Sequence, residues 1–244
     1  MNIFFTRELA KTDRPVHQAE AFWHFVKAGD LGDFNETAIA SGTSSLETAY
    51  VAGAIGQLKL ANASSANNSG CVRLSPLGFG IETGQELYAK GRFRLSEPSS
   101  SEFRFGFADL ASAWITGASL DAIHVAKASG SRQLSLQVYS NGTASSVSSI
   151  YEIPSTATWF ELMLAIRAET ATQGKVSVIA GLYSASTGTW QRTNAVVDRE
   201  FTNLPGSSTR GNLGVGVAFQ SGAASDMTCL IDYIGVGANV LYAQ

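Results

Sequence analysis

Glu161, Asp198, Glu200 and Asp232 are the residues of this chain best suited by type to proton chemistry. Paired carboxylates serve glycoside hydrolysis, one protonating the leaving oxygen and the other attacking or activating water, at about 5–5.5 Å for retention and about 6.5–9.5 Å for inversion. The spacing argues against such a pair. Glu161 stands alone in "ATWFELML" and Asp232 alone in "CLIDYIG", while Asp198 and Glu200 fall in "DRE", which reads as a polar loop. Asp109 follows "EFRFGFA" and reads as a strand end, because Asp bonds nearby backbone N–H groups. The histidines do not make a metal site. Were residues 16–28 a helix, His17 and His24 would lie about 10 Å apart, too far for one ion with bonds of about 2 Å. C-x-x-C, H-E-x-x-H, G-K-[ST] and G-x-S-x-G patterns are missing. The expectation is a protein with no catalytic residue, cofactor or metal. Contacts to a partner or a glycan are expected instead from aromatic residues: Trp114 in "ADLASAWITGASLD", Trp190 after "TGT", and Phe4 and Phe5 near the N-terminus.

The elements that must position these residues are strands. Phe103, Phe105 and Phe107 alternate with Arg104, Gly106 and Ala108, the period of a half-buried strand. Similar alternation recurs in "GQLKLANA", "QELYAKGRFRLSE", "QLSLQVYS" and "GKVSVIAGLYSAS". Asn141-Gly142 marks a two-residue hairpin, since both residues tolerate positive φ. "WFELMLAIRAE" has helix propensity, but its length and neighbours argue for a strand. These signals add up to about a dozen strands with no secure helix, the spacing of an all-β sandwich.

The chain has 244 residues, 45% hydrophobic and 15% charged, with a net charge of −3. One large core in one domain fits that length. Without a run of Lys or Arg, no nucleic-acid partner is expected. Apolar runs are too short to cross a bilayer, so no membrane partner is expected either. Cys71 and Cys229, both in apolar runs, read as buried free thiols. Residues 1–29 differ in composition and read as an N-terminal arm or edge element, with "VHQAEAFWHFVKAG" matching helix and strand templates alike. Residues 30–244 read as the sandwich domain.

"DFNETAIASGTSSLE", "ELYAKGRFRLSEPSSSEFRFGFADL", "DAIHVAKASG", "TWFELMLAIRAE" and "CLIDYIGVGAN", in this order, resemble the concanavalin A-like lectin/glucanase jelly roll, and within it the jelly-roll proteins of tailed-phage virions. The resemblance implies a two-sheet antiparallel β-sandwich preceded by a short arm. Its hydrolases carry an E-x-D-x-E or E-x-D-x-x-E strand, which this sequence lacks. What it implies here is a non-enzymatic virion structural protein, either a capsid decoration (cement) protein or a fibre-like appendage. Such a protein is made in the host cytoplasm, is homo-oligomeric, and contacts the major capsid protein or another virion protein. The alternative is a carbohydrate-binding module that touches host glycans.

Overall fold

The computed structural model describes residues 16–25, 33–47, 56–62, 69–75, 79–81, 83–109, 121–184, 189–205, 213–223 and 225–241. These form fifteen strands and no helix, in two sheets whose pairings are all antiparallel. The eight-stranded sheet holds β1 (Val16–His24), β3 (Thr43–Leu46), β4 (Leu58–Ala61), β6 (Gln85–Leu95), β11 (Phe160–Ala168), β12 (Gly174–Ser184), β13 (Thr189–Phe201) and β15 (Thr228–Leu241). Its order is β13-β12-β11-β6-β15-β4-β3, and β1 also pairs with β15. The seven-stranded sheet holds β2 (Asn35–Ile39), β5 (Gly70–Leu74), β7 (Ser101–Ala108), β8 (Ala122–Lys127), β9 (Gln133–Ser140), β10 (Thr143–Glu152) and β14 (Gly214–Ser221), in the order β10-β9-β8-β7-β14-β5-β2.

Alternation decides what fills the space between the sheets. Phe103, Phe105 and Phe107 are fully buried, as their spacing predicts. Phe103 and Phe105 meet Phe93 of the opposite sheet, with ring centroids 4.9 and 4.7 Å apart. Phe160 closes the cluster at 5.6 Å from Phe103. Phe160, Leu162, Leu164 and Ile166 line the inner side of β11, so tertiary packing overrides the helix propensity of that run. Asn141 and Gly142 take φ of 52° and 75° in the β9–β10 turn, as the hairpin signal predicts.

β15 ties the eight-stranded sheet together. It pairs with β6 along one edge. On its other edge Thr228–Ile231 pair with β4 and Tyr233–Leu241 pair with β1. At the changeover Asp232 is an extra residue, since Ile231 faces Phe93 and Tyr233 faces Arg92. This is a β-bulge, which re-aims the side chains next to it. β1 settles the ambiguity of the "VHQAEAFWH" run: nine consecutive register partners on β15 make it a strand.

Candidate functional site

The outer face of the eight-stranded sheet carries a row of ionisable side chains in register across three strands. Glu161 of β11 lies opposite Arg92 of β6, and Arg92 lies opposite Tyr233 of β15. Lys90 Nζ reaches Glu161 Oε1 at 3.1 Å, and Arg92 reaches Glu161 Oε2 at 3.5 Å. The Tyr233 hydroxyl donates to Glu161 Oε2 at 2.6 Å. The other arm of Arg92 donates to Asp232 Oδ2 at 2.7 Å, where the bulge delivers that carboxylate. Glu161 and Asp232 are therefore not isolated carboxylates, as the sequence suggests, but meet on one guanidinium. The Arg92 and Lys90 head groups also sit 5.0 and 5.5 Å from the Tyr233 ring centroid, within cation–π range. Phe22 of β1 stacks on the same ring at 5.0 Å.

Burial alone would raise the Glu161 carboxyl, but Lys90, the Tyr233 hydroxyl and Arg92 outweigh it and hold the pKa below the usual carboxylate range. Burial, with Glu161 alongside, pushes the Tyr233 phenol far up. Glu161 is thus an ionised acceptor and Tyr233 a protonated donor. A glycosidase acid needs the opposite tuning, a carboxyl raised so that it holds its proton.

Beside this row lies an open groove of about 210 Å³. Ala165 forms part of its floor, with Met163, Tyr88 and Ile179 around it. A rim is set by cross-strand neighbours Glu86 and Arg167 and by Lys175, Ser177 and Asp198. Asp198 accepts from Lys175 at 2.6 Å and from the Ser177 hydroxyl at 2.8 Å. Asp198 and Glu200 belong to β13, not to a polar loop, because β12 supplies register partners as far as Phe201.

The seven-stranded sheet offers a different outer face. Val72, Ala108, Ala122 and Ala218 form a small buried apolar cluster there. His124, also fully buried, shares a hydrogen bond of 3.1 Å with Gln137 and stacks on Tyr139 at 5.8 Å. Desolvation, helped by Arg104, lowers the His124 pKa to about 3, so the ring is neutral at physiological pH. Asp109 closes the end of β7. Its Oδ2 accepts the Asp121 N–H at 3.0 Å, and Asp121 in turn accepts the Asn141 N–H at 2.8 Å.

Of the aromatic contacts expected from sequence, Trp114, Phe4 and Phe5 lie outside the described residues. Trp190 falls in β13 opposite Tyr183, where the backbone alone is described. His24 and His124 belong to different sheets. Among the described residues no group of three or more His, Cys, Asp or Glu could hold a metal ion. Lys90, Arg92, Tyr88, Met163 and Ala165 are functional candidates that sequence reasoning passes over. Their signal is the half of the alternation in "ELYAKGRFR" and "ELMLAIR" that faces away from the core. That half gives the face, and only the strand order says which side chains meet.

No protein-family model matches the sequence, and no curated protein matches it. Solved structures do. A protein of unknown function from Shewanella oneidensis MR-1 matches with TM-score 0.58 and 15% identity, over 96% of this chain and 92% of that one. The Lotus tetragonolobus seed lectin matches with TM-score 0.58 and 11% identity, over 92% and 100%. A carbohydrate esterase from the Shiga toxin-encoding bacteriophage phi24B matches with TM-score 0.50 and 12% identity, over 91% and 97%. At such identities the likeness is one of fold, and the chain has the lectin-like jelly-roll sandwich.

Proposed function

We propose that this protein is a non-enzymatic glycan-binding module carried on the virion of a tailed bacteriophage. The groove on the outer face of the eight-stranded sheet carries this reading. Its floor of Ala165, Met163 and Tyr88 suits the C–H face of a sugar ring, and its rim offers a carboxylate, Asp198, already oriented by Lys175. A carboxylate held by Lys175 and Ser177 keeps lone pairs for sugar hydroxyls. The volume of about 210 Å³ falls below the usual range of roughly 300–1,000 Å³ for drug-sized ligands, which fits a single sugar unit of a longer chain. The ionised Glu161 beside the groove favours binding over hydrolysis. Support for the phage setting comes from the shared fold with the phage carbohydrate esterase and from the sequence pattern of virion jelly rolls.

Within the particle, the second reading is a capsid decoration protein, homo-oligomeric and seated on the major capsid protein or another virion protein. A net charge of −3 on 244 residues favours it, since copies can crowd without strong mutual repulsion.

An array of bacterial surface glycans tests the binding reading. The wild-type protein is expected to bind a subset, and Ala165→Arg, which fills the floor from the outer face, is expected to abolish binding at unchanged Tm. Failure of the wild type to bind, or unchanged binding by Ala165→Arg, refutes it.

A further inference from the structure

The groove on the eight-stranded sheet has two unlike sides, and the period of β11 is the cause. Met163, Ala165 and Arg167 are alternate residues of that strand, so they share its outer face and each begins a row across the sheet. On β12 their partners are Ile179, Ser177 and Lys175. On β6 they are Lys90, Tyr88 and Glu86, in the same order. The groove therefore has an apolar side at Met163 and Ile179, a floor at Ala165, and a charged side where Glu86, Arg167 and Lys175 follow one another across three strands.

The cations of this face are not equivalent. Glu161 holds Lys90 and Arg92, Asp232 holds Arg92 as well, and Asp198 holds Lys175. Among the described residues the Arg167 side chain has neither an ion pair nor a hydrogen bond, although Glu86 lies directly across from it. Opposite charges in that relation usually support each other. Arg167 is exposed instead, and its planar fork of N–H donors is left open at the rim of the groove.

We propose that the groove selects an acidic sugar, one that carries a carboxylate directly on its ring, and that Arg167 binds that carboxylate. This rests on the glycan reading of the same groove and names the ligand class within it. A ring laid on Ala165 is one alternate position, about 7 Å, from Arg167, within reach of so long a side chain. The guanidinium then matches the carboxylate through two parallel N–H···O bonds. A carboxylate on the ring adds no more bulk than the hydroxymethyl group it replaces, so it fits the same volume of about 210 Å³, whereas a sulfate or phosphate ester adds a tetrahedral group. Of the two rim carboxylates, Asp198 is compensated by Lys175, and Glu86 is left to accept from ring hydroxyls.

Paired oligosaccharides test this: chains containing hexuronic acids, and the same chains with every carboxylate reduced to a primary alcohol. Sulfated and phosphorylated neutral chains are measured alongside. The wild type is expected to bind the uronate chains and to lose about tenfold or more in affinity on reduction, with binding of the acidic form weakening as salt rises. Arg167→Gln, a surface change expected to leave Tm unchanged, is expected to bind both forms alike. Arg167→Lys is expected to keep only part of the preference, since a point charge lacks the fork. A wild type that binds reduced chains as well as acidic ones, or that prefers the sulfated or phosphorylated chains, overturns the proposal and leaves glycan binding standing. A carboxylate preference that survives Arg167→Gln does the same. A wild type that binds no glycan overturns both readings.

Discussion

His124 and Glu161 show how the same burial can be resolved in two ways. Glu161 keeps its charge because two cations and a phenol surround it. His124 gives its charge up, because burial strips its water, the cation Arg104 opposes a second positive charge, and the neutral Gln137 offers only a hydrogen bond in return. Each choice has a pH signature. The unfolded His124 binds a proton near its ordinary pKa of 6.5, and the folded one only near 3. Its stabilisation is complete above 6.5 and is lost as pH falls from 6.5 toward 3, at up to about 1.4 kcal/mol per pH unit. The Glu161 contribution is present above its unfolded value of 4.5 and is lost only below it. Of these two groups, His124 is the one that gives acid sensitivity between pH 6.5 and 5. Urea unfolding is expected to show wild-type stability falling by about 2 kcal/mol over that range relative to His124→Gln. Parallel curves for the two proteins would contradict the assignment. For Glu161→Gln, which leaves Lys90 and Arg92 with one carboxylate, a loss of about 3 kcal/mol at pH 7 is expected, the low end for a broken buried pair because the cations are partly exposed.

At the scale of elements, alternation makes most of the sandwich legible. Phe103, Phe105, Phe107 and the inner side of β11 sit where a period of two places them. The "VHQAEAFWH" run is not legible, because its aromatics fit both periods and only β15 decides between them. The meeting of Asp232 with Arg92 is not legible for a related reason. A bulge adds one residue to a strand without leaving a turn signal, so nothing local marks the point at which its side chain swings to Arg92. The Asp198–Glu200 stretch reads as a loop because it is polar, yet the β12 edge recruits it into β13. One residue that looks merely small in "FRFGFAD" is demanding. Gly106 has a φ of 147°, and a Cβ there would lie 2.4 Å from the Ile123 carbonyl oxygen. Gly106→Ala cannot be absorbed by a flexible side chain, since the obstacle is the β8 backbone. The expected result is a loss of at least about 2 kcal/mol, by strain at a special φ added to steric displacement of β8, whereas Gly130→Ala, with nothing within 4 Å, meets only the backbone penalty at φ 79°. Equal Tm values for the two variants would show that β7 and β8 part more easily than their register implies.

For the molecule as a whole, the question is whether two sheets with such different outer faces melt as one body. The inner residues argue that they do. Phe93 of the eight-stranded sheet touches Phe103 and Phe105 of the seven-stranded one, and a single hydrophobic cluster runs through both. The two cysteines sample this directly. Cys71 lies on β5 and Cys229 on β15, one in each sheet, and both belong to that cluster. Both thiols are free and fully buried, as the sequence suggests, and burial pushes the Cys229 thiol well up. Thiolate is the reactive form, so a native thiol that is both inaccessible and protonated should resist a disulfide reagent. Labelling then requires opening of the structure, and the pattern of labelling reports which parts open together. In rising urea, Cys71 and Cys229 are expected to react in one phase with one midpoint, coincident with the loss of circular dichroism. Labelling of Cys71 at a clearly lower urea concentration than Cys229 would mean that the seven-stranded sheet peels away first, and that the aromatic seam between Phe93 and Phe103 does not couple the sheets. Ala165→Arg, which lies on an outer face away from that seam, is expected to leave both midpoints where they are, while Phe93→Ala lowers both by the same amount, corresponding to about 3–5 kcal/mol for a deleted buried ring.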